Sequence, residues 1–171
     1  MFKQFSDRWK IRRDPVAWAR SKGVQIGEHC RLLGLTSVTF GSEPYLITLG
    51  DHVTITEGVL FSTHDGGVWT LRDEFPDIDI FGRITVGTNV FIGFNSIILP
   101  GVAIGDNCVV GAGSVVTRDI PPGSVAAGTP AKVIRSIAEY REKAIAVATH
   151  IRSQNPDEKR RTLMAKFKIA P

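Results

Sequence analysis

The stretch Ile84-Thr-Val-Gly-Thr-Asn-Val-Phe-Ile-Gly-Phe-Asn-Ser-Ile-Ile-Leu-Pro-Gly-Val-Ala-Ile-Gly-Asp-Asn107 contains an aliphatic residue at every sixth position. The series continues beyond the stretch and comprises Val86, Ile92, Ile98, Ile104, Val110 and Val116. Glycine directly follows four of these residues, and asparagine stands between them at positions 89, 95 and 107. A period this regular indicates a repeated structural unit.

A six-residue period fits neither the roughly 3.6 residues of a helical turn nor the strands of a sandwich, which usually recur at about 8 to 12 residues. It fits a short strand followed by a corner, where glycine or asparagine tolerates a positive φ angle. Three such units form one coil, so residues 18 apart should stack, which places Val86 over Ile104, Ile92 over Val110 and Ile98 over Val116. A weaker copy of the repeat runs through Ile26, Leu49, Ile55 and Phe61. We therefore predict an all-β solenoid.

The composition is that of an ordinary globular domain. Of the 171 residues, 43% are hydrophobic and 22% are charged, which argues against a disordered or fibrous chain and for a single core. No window reaches the roughly 18 consecutive apolar residues of a membrane-spanning helix, and the first ten residues do not resemble a signal peptide, so a cytoplasmic location is expected. Cys30 and Cys108 are far apart and are expected to fill small core positions rather than form a disulfide or a zinc site.

The net charge of +4 conceals an uneven distribution. Residues 1–22 contain seven Lys or Arg against two Asp, residues 132–171 contain ten against four acidic residues, and residues 23–131 contain four against eleven. A nucleic-acid-binding protein more often carries its basic residues across the folded face, so no nucleic-acid partner is expected. A small polyanion bound near one end of the chain fits this pattern better.

The repeat and its continuation resemble those of the hexapeptide-repeat acyltransferases, especially the sugar and polysaccharide O-acetyltransferases. The resemblance covers about residues 23–135 and is most specific in Ile104-Gly-Asp-Asn-Cys-Val-Val-Gly-Ala-Gly-Ser-Val-Val-Thr-Arg-Asp-Ile-Pro-Pro-Gly-Ser-Val-Ala-Ala-Gly-Thr-Pro-Ala-Lys-Val-Ile-Arg135. It implies a left-handed parallel β-helix, although connections between parallel strands are usually right-handed. It also implies acetyl-CoA as acyl donor, a sugar or saccharide as acceptor, and a homotrimer with active sites between subunits.

Three regions are expected along the chain: an N-terminal helical cap at 1–22, the β-helix acyltransferase domain at 23–134 with an extruded loop at 65–83, and a C-terminal helical tail at 135–171. Asp14-Pro15 is a helix-start signal, and Gly23 can end that helix before the first coil. The tail is helical in pattern from about Ser136 to Ser153, and a second helical run begins at Pro156.

The first residues place Phe2, Phe5 and Trp9 at helical spacing among several Lys and Arg residues. Packing of this segment against a neighbouring subunit is the favoured interpretation. The alternative is a weak contact with an anionic membrane surface.

The repeat is interrupted between Phe61 and Ile84 by a segment rich in aromatic and acidic residues. A loop of this length in a rigid solenoid is usually functional or disordered, and its aromatic content favours function. His64 stands at the mouth of the loop. Imidazole, with an ordinary pKa of about 6.5, can accept a proton from an acceptor hydroxyl at neutral pH. From the residues alone a solvated turn histidine is the commoner outcome, but the family resemblance implies that His64 is the catalytic base.

A carboxylate that fixes the tautomer of His64 would improve it as a base. Glu43, 21 residues earlier, and the adjacent Asp65 are the two candidates, and the sequence leaves the choice open. We predict His64 and Glu43 as catalytic residues and Asp65 and Trp69 as contacts of the acceptor. His29 and His52 are expected at coil corners, and His150 in solvent.

The resemblance also implies where the acyl donor binds, which is the outside of the C-terminal coils. The corresponding positions in this chain are Ala112, Thr117, Arg118, Lys132 and Arg135. The last two would lie near the CoA phosphates, where cations can hydrogen-bond the negative charges. One coil before Ala112 many relatives have a small hydroxyl residue, whereas this chain has Phe94.

Several other functions are compatible with parts of this sequence. An N-acetyltransferase of an amino or nucleotide sugar and a xenobiotic acetyltransferase share the chemistry and stay open as alternatives. The serine-specific relatives carry a longer N-terminal helical domain than the 22 residues present here. A zinc carbonic anhydrase needs three histidine ligands, and the spacing of His29, His52 and His64 does not match, so no metal is expected. A β-solenoid that serves only as a binding scaffold leaves the loop and His64 unexplained.

Overall fold

A computed structural model describes residues 2–169 of the chain, with residues 2–6 described by their backbone only. The helices are α1 (Phe2–Arg13), α2 (Pro15–Ser21), α3 (Ile137–Val147) and α4 (Pro156–Phe167), and short 3-10 helices lie at Pro44–Leu46 and Gly66–Leu71. The strands are β1 (Gln25–Ile26), β2 (Arg31–Leu32), β3 (Ile47–Leu49), β4 (Thr54–Ile55), β5 (Leu60–Phe61), β6 (Ile84–Val86), β7 (Phe91–Ile92), β8 (Ile97–Ile98), β9 (Ala103–Ile104), β10 (Val109–Val110), β11 (Val115–Val116), β12 (Ser124–Gly128) and β13 (Ala131–Ser136). The chain divides into two compact units, Met1–Tyr140 and Arg141–Pro171.

Successive strands of the first unit join three different sheets in turn. The sheets have the orders β1-β3-β6-β9, β2-β4-β7-β10-β12-β13 and β5-β8-β11, and within the described residues their pairings are parallel except that of β12 with β13. The predicted stacking is confirmed, since Val86 pairs with Ile104, Ile92 with Val110 and Ile98 with Val116. From β3 to β11 the chain therefore passes through all three sheets in each of three coils, and successive coils hydrogen-bond to one another.

The aliphatic residues of the repeat form the core inside these coils. Ile92, Ile98 and Val110 have no exposed surface, and the other members of the series are also buried. Burying a side chain of this size contributes roughly 1.5–3 kcal/mol, and the contribution recurs at every repeat. Cys108 is buried in this core and Cys30 is half-buried beside it, and both are free thiols.

The corners of the coils hold residues with positive φ angles, as predicted for asparagine. Asn89, Asn95 and Asn107 have φ of 57°, 55° and 55°, and His29 and His52 occupy corners of the same kind with φ of 58° and 54°. The glycines that follow the aliphatic residues differ from the prediction, because Gly93 and its counterparts do not have positive φ. They are small for another reason: a Cβ atom on Gly93 would lie 2.6 Å from the backbone nitrogen of Ala112 in the next coil.

Two insertions interrupt the regular stacking and together position the candidate site. Paired residues are 18 apart in the regular coils, but 23 residues separate Ile26 from its partner Leu49. The extra residues of this first insertion include Glu43. The second insertion is the loop after β5, which separates Phe61 from its partner Ile98 by 37 residues. His64 lies at its start.

The N-terminal helices lie before the first coil. Asp14 caps α2 by accepting a hydrogen bond from the Ala17 backbone, Pro15 is the first helical residue, and Gly23 follows with φ of 105°, as the helix signals predict. Trp18 of α2 is buried in the core near Phe40. The prediction for the amphipathic N-terminus rests partly on Phe2 and Phe5, whose side chains lie outside the described residues.

The C-terminal helices differ in part from the prediction. The helix expected from Ser136 to Ser153 ends at Val147, and residues 148–155 are irregular, with turns and a bend at 152–154. Helix α4 begins at Pro156 as expected, with Asn155 and Glu158 forming a capping box. None of the helices within residues 2–169 has the length and hydropathy that crossing a bilayer requires.

Candidate active site

The loop after β5 is closed at its base by antiparallel backbone pairing. His64 and Phe81 form an isolated bridge, the Asp65 N–H donates to the Ile80 carbonyl at 2.9 Å, and the Gly82 N–H donates to the Thr63 carbonyl at 2.8 Å. These contacts fix both ends of the loop, so the position of His64 depends on the coil rather than on the loop tip. Asp65 has a separate role, because its carboxylate accepts from the Gly67 N–H at 2.8 Å and caps the 3-10 helix Gly66–Leu71.

Glu43 contacts His64 from the first insertion. Glu43 Oε2 lies 2.9 Å from His64 Nδ1, and the same oxygen accepts a hydrogen bond of 2.7 Å from Thr63 Oγ1. The Glu43 side chain is 16% exposed, whereas that of His64 is 40% exposed. Of the two carboxylates that the sequence left open, Glu43 is therefore the one that contacts the imidazole.

The charge state of Glu43 determines which tautomer of His64 is favoured. The hydrogen bond from Thr63, and then that from His64, lower the pKa of the Glu43 carboxyl below its ordinary value. An ionised carboxylate can only accept hydrogen bonds, so Nδ1 of His64 carries the proton. The lone pair of the neutral ring then resides on Nε2, which is the arrangement required of a general base.

His64 lines two cavities of about 400 Å³ each. The first is shared with Glu43 of the first insertion and with Trp69, Arg72, Asp79 and Phe81 of the loop. The second is shared with Ser62, Asp65, Ile80, Leu99 and Thr117. A group that contacts two cavities can act between two molecules, one in each.

The second cavity follows the edge of one sheet across three coils. The Ser62 N–H donates to the Ile98 carbonyl and the Leu99 N–H to the Val116 carbonyl, so the residues that follow β5, β8 and β11 are in register. Thr117 is the last of these residues and lines the same cavity as His64. Of the predicted donor-binding residues, Thr117 is thus the one that the cavity connects to His64.

The other predicted donor-binding residues lie further along the coils. Ala112 is exposed in the turn above Phe94, where the Gly113 N–H donates to the Phe94 carbonyl at 2.7 Å. Arg118 is exposed after β11, and Lys132 and Arg135 lie on β13, which pairs with β12. Neither cavity that His64 lines includes any of these four residues.

The structure adds site residues that the sequence did not reveal. Arg72 Nη2 and Asp79 Oδ1 form an ion pair of 2.6 Å across the loop. The centroid of the Phe81 ring lies 6.2 Å from that of the His64 imidazole. Trp69, predicted from the sequence as an acceptor contact, also lines this cavity and is 74% exposed. No periodic signal marks Arg72, Asp79 or Phe81, because the loop has no repeat. In the part of the chain that the structure describes, no group of three or more His, Cys, Asp or Glu side chains is arranged to hold a metal ion.

Comparison with known proteins identifies the family. Residues 83–118 match the family model described as the hexapeptide repeat of succinyl-transferase. The chain is 57% identical over 149 residues to Protein CapG of Staphylococcus aureus, covering 87% of each chain. It is 42% identical over 124 residues to the galactoside O-acetyltransferase of Escherichia coli K12, covering 72% of this chain and 59% of that enzyme. The chain belongs to the hexapeptide-repeat acetyltransferases. The recognition made from the repeat is therefore confirmed.

A solved structure of another hexapeptide-repeat acetyltransferase has the same fold. The enzyme from Vibrio cholerae O1, complexed with acetyl-CoA, superposes with a TM-score of 0.60 at 26% identity and covers 78% of this chain and 84% of that chain. The prediction of an acetyltransferase is confirmed at the level of the family. The galactoside O-acetyltransferase and the acetyl-CoA complex show what two relatives act on or bind.

Proposed function

We propose that this acetyltransferase transfers an acetyl group from acetyl-CoA directly to a hydroxyl of a sugar or polysaccharide precursor. The observation that carries the proposal is the His64–Glu43 pair at the junction of two cavities. The left-handed winding of the coils, which the family resemblance implies, is part of the same proposal. The names of the relatives support it, because one is a galactoside O-acetyltransferase and another was solved with acetyl-CoA.

In the proposed reaction Nε2 of His64 accepts the proton of the acceptor hydroxyl while its oxygen attacks the thioester carbonyl carbon. The ionised Glu43 stabilises the imidazolium that forms. When the carbon–sulfur bond breaks, the imidazolium returns the proton to the departing thiolate of CoA. Backbone N–H groups at the coil edge would hold the oxyanion. The acetyl group passes to the acceptor in one complex, so no enzyme nucleophile is needed.

The acceptor would occupy the cavity beside the loop. Trp69 offers an exposed aromatic surface next to His64, and Arg72 and Asp79 add hydrogen-bonding groups to the same cavity. Asp65 caps the 3-10 helix that carries Trp69, so we assign it a supporting role in acceptor binding.

The donor would occupy the other side of His64. The cavity that ends at Thr117 leads from the base toward the C-terminal coils, which supports the placement of the pantetheine arm near Thr117 and Ala112. Arg118 would contact the donor beside Thr117, and Lys132 and Arg135 would supply positive charge for the CoA phosphates. The proposal includes a homotrimer with this groove between subunits. It also includes the division of the chain into regions 1–22, 23–134 and 135–171. The N-terminal segment would pack on the neighbouring subunit, with anionic membrane contact as the alternative.

The first test is a calorimetric titration of the purified protein with acetyl-CoA in the absence of acceptor. Saturable binding in the micromolar range, about one molecule per subunit, is expected. A folded protein that does not bind acetyl-CoA would contradict the proposal. Ultracentrifugation of the same sample measures whether it is a trimer.

The second test is a thiol-release assay with a panel of hydroxyl sugars and amino sugars. Among variants, His64→Ala should lower turnover by roughly two to four orders of magnitude while acetyl-CoA binding is unchanged. His150→Ala is the matched control, because His150 is exposed in the C-terminal unit and should have no effect. Near-normal turnover of His64→Ala would remove His64 from the mechanism, and transfer only to amines would replace the O-acetyltransferase with the N-acetyltransferase.

A further inference from the structure

Thr63 is a fully buried hydroxyl residue beside the candidate base. Its side chain has 0% exposure, and its Oγ1 donates to Glu43 Oε2 at 2.7 Å. His64 Nδ1 lies 2.9 Å from that same oxygen. One carboxylate oxygen therefore accepts from two consecutive residues of the chain.

The backbone of Thr63 is fixed independently of Glu43. Its carbonyl accepts the Gly82 N–H at 2.8 Å, and this bond closes the base of the loop. The hydroxyl thus projects from an anchored position. A buried hydroxyl without a partner is costly, so its bond to Glu43 is strongly favoured.

The orientation of the Glu43 side chain is less constrained than that of Thr63. It precedes the 3-10 helix Pro44–Leu46, and its side chain makes no capping hydrogen bond to that helix. A glutamate side chain loses considerable rotamer freedom when it is fixed in one orientation. The hydroxyl of Thr63 offsets this cost, because it offers the carboxylate a second donor beside the imidazole.

We propose that Thr63 is a positioning residue, whose hydroxyl holds Glu43 Oε2 against His64 Nδ1 and thereby keeps Nε2 free for the acceptor. The inference rests on the proposed function for the role of His64. It predicts that Thr63 affects catalysis only through Glu43. A hydroxyl that merely stabilised the loop would act independently of that carboxylate.

The test is a double-mutant cycle with Thr63→Val and Glu43→Ala in the thiol-release assay. Thr63→Val keeps the shape of the side chain and should lower kcat roughly tenfold with little change in KM, because a charge-assisted hydrogen bond is lost. Thr63→Ser should restore most of the activity. In the Glu43→Ala background, Thr63→Val should cause no further loss, since the group through which it acts is absent.

Thr56→Val is the matched control for burial. Thr56 is 4% exposed and follows β4, and its Oγ1 donates to the Ile92 carbonyl at 2.8 Å, whereas His64 follows β5 in a different sheet. We expect a loss of thermal stability for this variant without a loss of kcat. If Thr63→Val does not fold, Thr63→Ala takes its place in the cycle.

The outcomes separate this inference from the proposed function. Near-normal kcat in Thr63→Val, or independent losses in the double variant, would overturn the role of Thr63 while leaving His64 in place. If His64→Ala retains activity, the proposed base is wrong. NMR titration of the Glu43 carboxyl in the wild type and in Thr63→Val then tests the hydrogen bond between Thr63 and Glu43 independently of activity. Thr63→Val should raise the Glu43 pKa toward its ordinary value, and an unchanged pKa would overturn the inference.

Discussion

Replacing Gly93 with alanine should separate two coils at the centre of the solenoid. A Cβ atom at this position would lie 2.6 Å from the Ala112 backbone nitrogen, 2.9 Å from its Cα and 2.9 Å from the Val110 carbonyl oxygen. All three are backbone atoms of the next coil, so no side chain can rotate away. Relief requires the coils to move apart, which stretches the Gly93 N–H bond to the Val110 carbonyl from its present 2.9 Å.

The expected cost combines overpacking with the weakening of that buried hydrogen bond. Overpacking costs about 1–3 kcal/mol and the bond contributes about 0.5–1.5 kcal/mol. Alanine recovers about 0.4–1 kcal/mol by restricting the unfolded chain. The net loss lies within about 0.5–4 kcal/mol, and its central value of about 2 kcal/mol lowers Tm by about 4–8 °C for a chain of this size.

Thermal unfolding of wild type and two glycine variants checks this prediction. Gly66→Ala is the control, because a Cβ atom at Gly66 meets nothing within 4 Å and its φ is not positive. Its Tm should stay within about 2 °C of the wild type. If Gly93→Ala were as stable as Gly66→Ala, the close approach of the coils would not be the reason for glycine at this position.

Three further predictions concern the candidate site. Glu43→Gln keeps a carbonyl oxygen that can accept from Thr63 and His64, so turnover should fall only about tenfold. Glu43→Ala lacks this oxygen and should lower turnover roughly a hundredfold. Equal losses of the two variants in the thiol-release assay would contradict this. Because the Glu43 pKa is lowered below 4.5 in the folded protein, its ionised form stabilises the fold above that pH, and the contribution is lost as the pH falls through the lower value. The Tm difference between wild type and Glu43→Gln should therefore shrink between about pH 6 and pH 3. Trp69→Ala should raise the acceptor KM severalfold and leave the acetyl-CoA KM unchanged in steady-state kinetics, since the indole lines only the first of the two cavities.

The sixfold repeat was sufficient to predict the core and its register. Aliphatic residues at a fixed period can be buried together only if successive coils stack, and this requirement pairs Val86 with Ile104 without further information. Asparagine at the corners follows from the positive φ that a tight bend demands. The role of the following glycines was assigned incorrectly, because the distance between coils is a tertiary quantity that their sequence position does not reveal.

The candidate site was only partly accessible from the sequence. His64 was identified by its place at the break in the repeat together with the family resemblance. The sequence does not decide between Glu43 and Asp65, because adjacency in sequence favours Asp65 as readily as a coil-to-coil contact favours Glu43. The helix expected to reach Ser153 shows the same limit, since residues 148–153 fit a helical pattern locally but are not helical in the structure.

The sequence by itself determined the stacking of the coils, because its period specifies which residues must lie over one another. Only the tertiary structure decided which side chains meet at the site. Glu43 and His64 lie in two insertions, and an insertion has no period from which its path can be inferred. The Thr63, Glu43 and His64 contacts form because the first coil carries the carboxylate to the point where the loop leaves the second. That convergence depends on how the two insertions close, which is set by hydrogen bonds between residues distant in the chain, such as that from the Gly82 N–H to the Thr63 carbonyl.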